Sequence, residues 1–147
     1  MKELILFEKA YDITMKNEGG YANNPKDKGG ETYKGISRKY HPNWGGWKLI
    51  DAHKAAKPDY TASSINKYGN NPTMNKLVKD FYKANFWDAL CLDKCFSQAM
   101  ANELFDDGVN RGVGAVKKTL CSILGIRTNT SMKNIMAKYN EVWEKKL

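Results

Sequence analysis

Three side chains near the N-terminus, Glu18, Asp27 and Thr32, are of the types that assist hydrolysis of glycosidic bonds. That reaction needs one protonated carboxyl for the leaving oxygen and an ionised group that assists water on the other face of the sugar. Asp27 follows Glu18 by nine residues, and Thr32 follows Asp27 by five. A hairpin that folds back over the end of a preceding helix would bring the three side chains to one cleft.

Glu18 is the candidate acid, and a helix is expected to position it. The apolar residues before it recur at steps of three and four, as in an amphipathic helix: Leu4, Phe7, Tyr11 and Met15. If this helix continues to Gly19-Gly20, Glu18 lies within about 40° of Leu4 around the axis, on the core-facing side. Burial and the negative end of the helix dipole would both disfavour the charged carboxylate, which suits a general acid. The alternative is a solvent-exposed Glu18.

Glycines surround the other two candidates in the stretch from Glu18 to Ser37. Glycine permits a positive φ and lets a bulky ligand approach the backbone, and we expect one of these roles at Gly29-Gly30. Asp27 also has a local interpretation, because it follows Pro25 in a turn-rich stretch where an Asp side chain often bonds its own backbone.

The sequence EGGYANNPKDKGGETYKGIS, residues 18–37, closely resembles the N-terminal signature of glycoside hydrolase family 108. Members of that family are N-acetylmuramidases of phages and prophages, also called secretion activator proteins. The resemblance implies a lysozyme-like helical domain in which Glu18 is the catalytic acid. The arrangement is also similar to the Glu, Asp and Thr set of phage-type lysozymes, which implies that Asp27 and Thr32 hold the attacking water.

Two later segments carry the resemblance further. Residues 82–87 are similar to the family's aromatic helix, and residues 104–112 to the start of its C-terminal peptidoglycan-binding segment. Residues 104–112 differ from the family's pattern at Arg111, where a small residue is usual. The Gly-Pro-x-Thr turn of the family's wall-binding repeat is not found after residue 125. We therefore expect a lysozyme-like catalytic region at 1–95 and a C-terminal helical segment at 96–147 that packs into the same domain.

Five residues are candidates for contact with sugar rings: Tyr21, Asn23, Tyr33, Trp47 and Asn110. Aromatic rings can stack on the apolar C–H faces of sugars. Two further aromatic residues, Tyr40 and Trp44, lie between Tyr33 and Trp47 in the sequence. The competing interpretation is that Trp44 and Trp47 form a local core. Asn110 is either a turn former or a cleft residue, with the structural role favoured.

The rest of the chain predicts a mainly α fold with a small irregular or β-hairpin lobe. From Glu18 to about Tyr60 no helical period is sustained, so the lobe is assigned there. Helix starts are predicted at Thr61 or Ser63, Thr73, Ser97 and Ser131, and a stop at Gly125. One apolar stripe is expected after Thr73: Met74, Leu77, Phe81, Ala84 and Trp87.

Composition limits the partners. With 24 Lys and Arg against 16 Asp and Glu, the 147-residue chain carries a net charge of +8 and favours polyanionic partners. The basic residues form no stripe with interleaved aromatics, so nucleic acid is not expected as a partner.

The apolar run at residues 4–7 is too short for a signal peptide or a membrane span, so synthesis in the cytoplasm without stable membrane insertion is expected. Release or export by a separate system would bring the protein to the wall.

Three cysteines, Cys91, Cys95 and Cys121, cannot all pair within the chain, and free, inert thiols are expected. His41 and His53 do not complete a zinc pattern, so neither a metal nor a cofactor is expected. We therefore expect a monomeric peptidoglycan hydrolase that acts on glycan strands. The alternatives are a non-catalytic wall- or secretion-associated binding module and, with less support, a nucleic-acid-binding domain.

Overall fold

The computed structural model describes residues 3–16, 18–26 and 28–145. Within these residues the chain forms seven α-helices and one three-stranded antiparallel sheet, which confirms the predicted mainly α class with a small hairpin lobe. In chain order the elements are α1 (Phe7–Met15), β1 (Tyr21–Asn23), β2 (Glu31–Tyr33), β3 (Ile36–Ser37), α2 (Gly46–Ala56), α3 (Ala62–Tyr68), α4 (Pro72–Tyr82), a π-helical turn (Lys83–Trp87), a 3-10 turn (Leu92–Lys94), α5 (Gln98–Arg111), α6 (Val113–Leu124) and α7 (Met132–Glu144).

The chain forms two compact units. The helical unit comprises the chain up to Lys16 and from Tyr82 onward, and the sheet unit comprises the residues between them. The predicted division into a catalytic region at 1–95 and a C-terminal segment at 96–147 is a division of function and stays a prediction.

Aromatic side chains form the centre of the helical unit. The rings of Phe7, Trp87 and Phe105 lie with centroids 5.6–6.0 Å apart and meet edge to face. Gln98, at the start of α5, is buried and is satisfied by the backbone of Leu6, accepting from its N–H at 2.7 Å and donating to its carbonyl at 2.9 Å. These contacts join the N-terminal segment and α1 to α5.

The sheet unit is built on the strand order β1-β2-β3. Lys34 and Gly35 connect β2 to β3 with φ values of 46° and 82°, the positive pair that a two-residue hairpin turn requires. The core beneath the sheet comes from all three of its strands and from α2, α3 and α4, and its largest members are Tyr33, Ile36, Trp47, Ile50, Ile65 and Met74.

Helix starts and stops that depend on local chemistry are confirmed. Thr61 caps α3 in a reciprocal capping box with Ser64. Ser97 and Ser131 each accept a backbone N–H in the first turn of α5 and α7. Gly125 ends α6 in the left-handed conformation, with φ of 66°.

The predicted extent of α1 is wrong. The helix ends at Met15, so Glu18 lies outside it and does not continue its apolar face. Leu4 precedes the helix and is 76% exposed, while Phe7, Ala10 and Thr14 form the buried face. From Gly20 onward the backbone pairs with the strand that follows.

The lobe between Glu18 and Tyr60 is more regular than predicted, because α2 lies within it. Trp47 and Ile50 are the large buried side chains of α2, and two positions are too few to establish a helical period.

The predicted start of α4 at Thr73 is also corrected. The helix begins at Pro72, and Asn71 provides the capping oxygen, accepting the Met74 N–H at 2.9 Å. Proline suits the first helical position because its missing N–H would be unpaired there.

The apolar stripe predicted after Thr73 shifts before it reaches Trp87. Met74, Phe81 and Trp87 are buried as expected, but Ala84 is exposed. The π-helical turn at Lys83–Trp87 accounts for this, since its wider turn changes which positions face inward.

The three cysteines are free thiols, with Cys95 and Cys121 buried and Cys91 partly exposed. In the part of the chain that the structure describes, no helix is long and apolar enough to cross a membrane.

Candidate active site

Glu18 lies in the short segment that leads into β1, and it is half-buried. The Gly20 carbonyl accepts the Lys34 N–H at 3.1 Å, so the pairing of β1 with β2 extends one residue toward Glu18. A hairpin therefore exists in the sheet unit, and the meeting of Glu18, Asp27 and Thr32 in one cleft stays a prediction.

Thr32 lies at the middle of the sheet. It is opposite Ala22 on one side and Ser37 on the other, so the three side chains share one face. Ser37 Oγ donates to the Gly29 carbonyl at 2.8 Å, and this bond holds the end of the connection between β1 and β2 against β3. Asp27, the second predicted carboxylate, lies outside the described residues.

The opposite face of the sheet contains two aromatic residues predicted to contact sugar. Tyr21 and Tyr33 are paired in register, and both are buried. Tyr33 is 1% exposed and Trp47 is 2% exposed, so neither ring can stack on a sugar in this structure. That prediction is wrong for both residues. Their planar surfaces are used by the core, where Tyr33 stacks on Trp44 and Trp47 meets Trp44 edge to face.

Two predicted sugar contacts are asparagines. Asn23 is exposed at the end of β1, opposite Glu31 in register, where a ligand could reach its amide. Asn110 lies in the last turns of α5 in the helical unit, so it is not in a turn. Its Nδ2 donates to Asp106 at 3.1 Å, and Asp106 also accepts from the hydroxyl of Thr14 at 3.1 Å. These bonds agree with the structural role favoured for Asn110.

A cluster of charged residues lies on the buried face of the sheet, and the sequence analysis missed it. Glu31 in β2 accepts from Tyr21 Oη at 2.6 Å, from Arg38 at 3.1 Å and from Lys54. Arg38 also holds Asp51 in two hydrogen bonds of 2.8 and 2.6 Å. We call Tyr21, Glu31, Arg38, Asp51 and Lys54 the Glu31 cluster.

The electrostatics of the cluster follow from these contacts. Burial alone would raise the pKa of Glu31, but the hydrogen bonds from Lys54, Tyr21 and Arg38 together outweigh it and lower the pKa below the ordinary value. The pKa of Asp51 is lowered chiefly by its hydrogen bonds from Arg38. Glu31 is therefore held ionised and fully engaged, which suits an anchor for β2 and not a proton donor.

The sequence contains a local pattern for only two members of the Glu31 cluster, Asp51 and Lys54. Asp51 and Lys54 are three residues apart, a spacing that places both on one helix face once α2 is known. Their partners Arg38 and Glu31 lie 13 and 23 residues away along the chain, respectively.

Metal ligation has no support from the described residues, since no three of their His, Cys, Asp or Glu side chains lie close enough together to hold an ion.

Comparison with known proteins adds independent information. The sequence profile of the family described as Glycosyl hydrolase 108 matches residues 11–112. Among solved structures, SagA of Brucella abortus is similar with a TM-score of 0.54 and 20% sequence identity, over 96% of this chain and 80% of that chain. No curated protein matches the chain. At this identity the likeness to SagA concerns the fold, and with the helices and small sheet it confirms the predicted lysozyme-like architecture.

Proposed function

The chain belongs to the glycosyl hydrolase 108 family, and from this premise we propose that it is a peptidoglycan hydrolase of the lysozyme type. Its substrate would be the glycan strand, and the bond cleaved would be the β-1,4 linkage between N-acetylmuramic acid and N-acetylglucosamine. The observation that carries the proposal is the placement of Glu18 directly before the strand pair that holds Thr32, inside the matched residues.

Glu18 is the proposed general acid. Its half-buried carboxyl would protonate the leaving oxygen of the glycosidic bond. Because Glu18 lies outside α1, the dipole of that helix does not contribute to this role, and the partial burial of the carboxyl does.

Thr32 and Asp27 are the proposed water-positioning groups. Thr32 is half-buried on the sheet face that it shares with Ala22 and Ser37, and its hydroxyl would hold the attacking water. Asp27 would be the ionised carboxylate that activates this water. An inverting reaction needs about 6.5–9.5 Å between the Glu18 and Asp27 carboxyl groups, which leaves room for that water.

The test of the acid is Glu18→Gln, because the amide keeps the shape of the side chain but has no carboxyl proton to give. We expect normal folding and a loss of about 10²- to 10⁴-fold in the lysis of purified cell walls, measured by turbidity. Glu103→Gln, at an exposed position of α5, is the matched control and should keep full activity. A Glu18→Gln protein that kept more than roughly a tenth of the activity would overturn the assignment.

The test of the bond is mass spectrometry of the fragments released by the unaltered protein. Cleavage by a muramidase leaves N-acetylmuramic acid at the new reducing end. Fragments that end in N-acetylglucosamine would contradict the proposed bond. Binding to walls without release of fragments would instead support the non-catalytic module.

The water-positioning groups are tested by Asp27→Asn, Thr32→Val and Thr32→Ser. Asp27→Asn should lower kcat with little change in KM, since the loss falls on the transition state. Thr32→Val should be severe and Thr32→Ser mild, because the hydroxyl is the group that holds water. A silent Asp27→Asn variant would leave Glu18 as the only carboxylate with a catalytic role.

A further inference from the structure

Asn66, in α3, contacts the segment that follows Glu18. Its Oδ1 accepts the Tyr21 N–H at 2.7 Å, although 45 residues separate the two along the chain. Asn66 lies outside the segments that resemble the family, residues 18–37, 82–87 and 104–112, and it has no role in the proposed hydrolysis.

Gly20 is the residue that makes this contact possible. A Cβ atom built on Gly20 would lie 2.2 Å from Asn66 Oδ1, 2.6 Å from its Cγ and 2.8 Å from its Nδ2. A Cβ on Gly19 would meet nothing within 4 Å. The two glycines thus differ in their surroundings, and only at Gly20 does the absence of a side chain leave the space that Asn66 occupies.

The other side of the segment is held by the sheet. The peptide unit between Gly20 and Tyr21 is held by two hydrogen bonds. Its carbonyl accepts from the N–H of Lys34, in the turn between β2 and β3, and its N–H donates to Asn66. Glu18 lies two residues before this doubly held peptide, so the position of the peptide sets where the segment that bears Glu18 joins the sheet.

The helix that bears Asn66 is itself well anchored. Ile65, next to Asn66, is fully buried, and the capping box at Thr61 fixes the first turn of α3. The ring of Tyr68, at the end of α3, stacks on His53 of α2 with centroids 4.7 Å apart. Asn66 is therefore presented from a rigid support.

We propose that Asn66 is a positioning residue for Glu18, which it acts on through the Tyr21 N–H and the close approach to Gly20. The inference rests on the proposed function, in which Glu18 is the acid. Misplacement of a catalytic group by about 1 Å can lower a rate by about 10²-fold, so a hydrogen bond at this place should act mainly on kcat.

The first experiment compares Asn66→Ala with Asn66→Asp on soluble, peptide-free glycan strands. Asn66→Ala should lower kcat by about 10- to 100-fold, change KM by less than about twofold and lower Tm by no more than about 4 °C. Asn66→Asp keeps an acceptor oxygen at the same place and should recover most of kcat. Lys67→Ala, one position along and exposed, is the control and should match the unaltered protein.

The second experiment tests the contact with Gly20. Gly20→Ala should lower kcat, because its Cβ would displace Asn66, whereas Gly19→Ala should not. In an Asn66→Ala background the obstruction is gone, so adding Gly20→Ala should cause little further loss. The comparison of Gly20→Ala with Gly19→Ala does not use Asn66→Ala, so it gives a result even if that variant folds poorly.

Three results would overturn the inference. They are a normal kcat for Asn66→Ala, a failure of Asn66→Asp to recover kcat, and equal effects of Gly19→Ala and Gly20→Ala. Measured beside them, Glu18→Gln distinguishes a failure of the proposed role of Asn66 from a failure of the proposed acid. An inactive Glu18→Gln with a fully active Asn66→Ala removes only the role of Asn66, whereas an active Glu18→Gln removes the proposed acid and this inference with it.

Discussion

Gly29 and Gly30 are adjacent in sequence but differ in backbone conformation. Gly30 has φ of 62°, in the left-handed region that side chains other than glycine rarely adopt. Gly29 is not among the residues with positive φ, and a Cβ on it would lie 3.6 Å from Thr32 Cγ2, an ordinary contact distance. The positive φ expected for this pair is therefore confirmed at Gly30 alone.

This difference predicts unequal costs for the same substitution. Gly30→Ala should lower the free energy of unfolding by about 1–2 kcal/mol, because the left-handed conformation brings Cβ too close to the backbone. Gly29→Ala should cost little, since its Cβ has room. Denaturant unfolding of the two variants checks this, and equal losses would contradict it.

At the scale of elements, α4 shows how a single cap defines a helix start. Asn71 accepts the Met74 N–H at 2.9 Å and donates to the Tyr68 carbonyl at 2.8 Å, so it joins the end of α3 to the start of α4. Thr73 lies inside the helix and is exposed.

Asn71→Ala should therefore lower the free energy of unfolding by about 1 kcal/mol, the usual cost of losing an N-cap. Thr73→Ala should change it by less than about 0.5 kcal/mol, as expected for a surface substitution away from such a feature. A larger effect at Thr73 than at Asn71, measured by urea unfolding, would restore the cap predicted from sequence.

The Glu31 cluster joins β2 to α2 and makes stability depend on pH. Because the pKa of Glu31 is lowered on folding, its contribution is fully present above the unfolded value of about 4.3 and is lost as pH falls through the folded value. The lowered pKa of Asp51 acts in the same direction.

We therefore expect Glu31→Gln to be less stable than the unaltered protein at pH 7, with the gap in unfolding free energy shrinking as pH falls below about 4. Glu103→Gln, on the exposed surface of α5, serves as the control and should show no comparable gap at either pH. A gap of constant size between pH 7 and pH 3 would show that the charge of Glu31 does not stabilise the fold.

At the scale of the whole molecule, the net charge of +8 should concentrate the protein on anionic wall polymers. Salt screens such attraction, with a Debye length of about 10 Å at 0.1 M and about 3 Å at 1 M. We expect the rate of wall lysis to fall as NaCl is raised between these concentrations. Hydrolysis of a soluble, uncharged glycan oligomer should change much less, and equal salt dependence of the two would exclude attraction to the wall as the cause.

The features that the sequence predicted correctly are those that depend on neighbouring residues. The helix starts at Ser97, at Ser131 and at Thr61, one of two residues predicted for α3, follow from a hydroxyl that bonds an N–H within three residues of itself. The stop at Gly125 follows because glycine adopts the left-handed conformation at low cost. The family was recognisable for a related reason, since its motif is a contiguous stretch that begins at Glu18.

What only the tertiary structure decided depends on contacts between distant residues. Whether an aromatic ring meets sugar or core cannot be inferred from its type, and Tyr33 and Trp47 proved to be core, each in ring contact with Trp44. The partners of Glu31 and the contact of Asn66 with Tyr21 likewise join residues 7 to 45 positions apart along the chain, at the extremes the Arg38–Glu31 and Tyr21–Asn66 bonds. Hydrogen bonds and burial at such separations are set by the fold as a whole, and no local pattern of residue types encodes them.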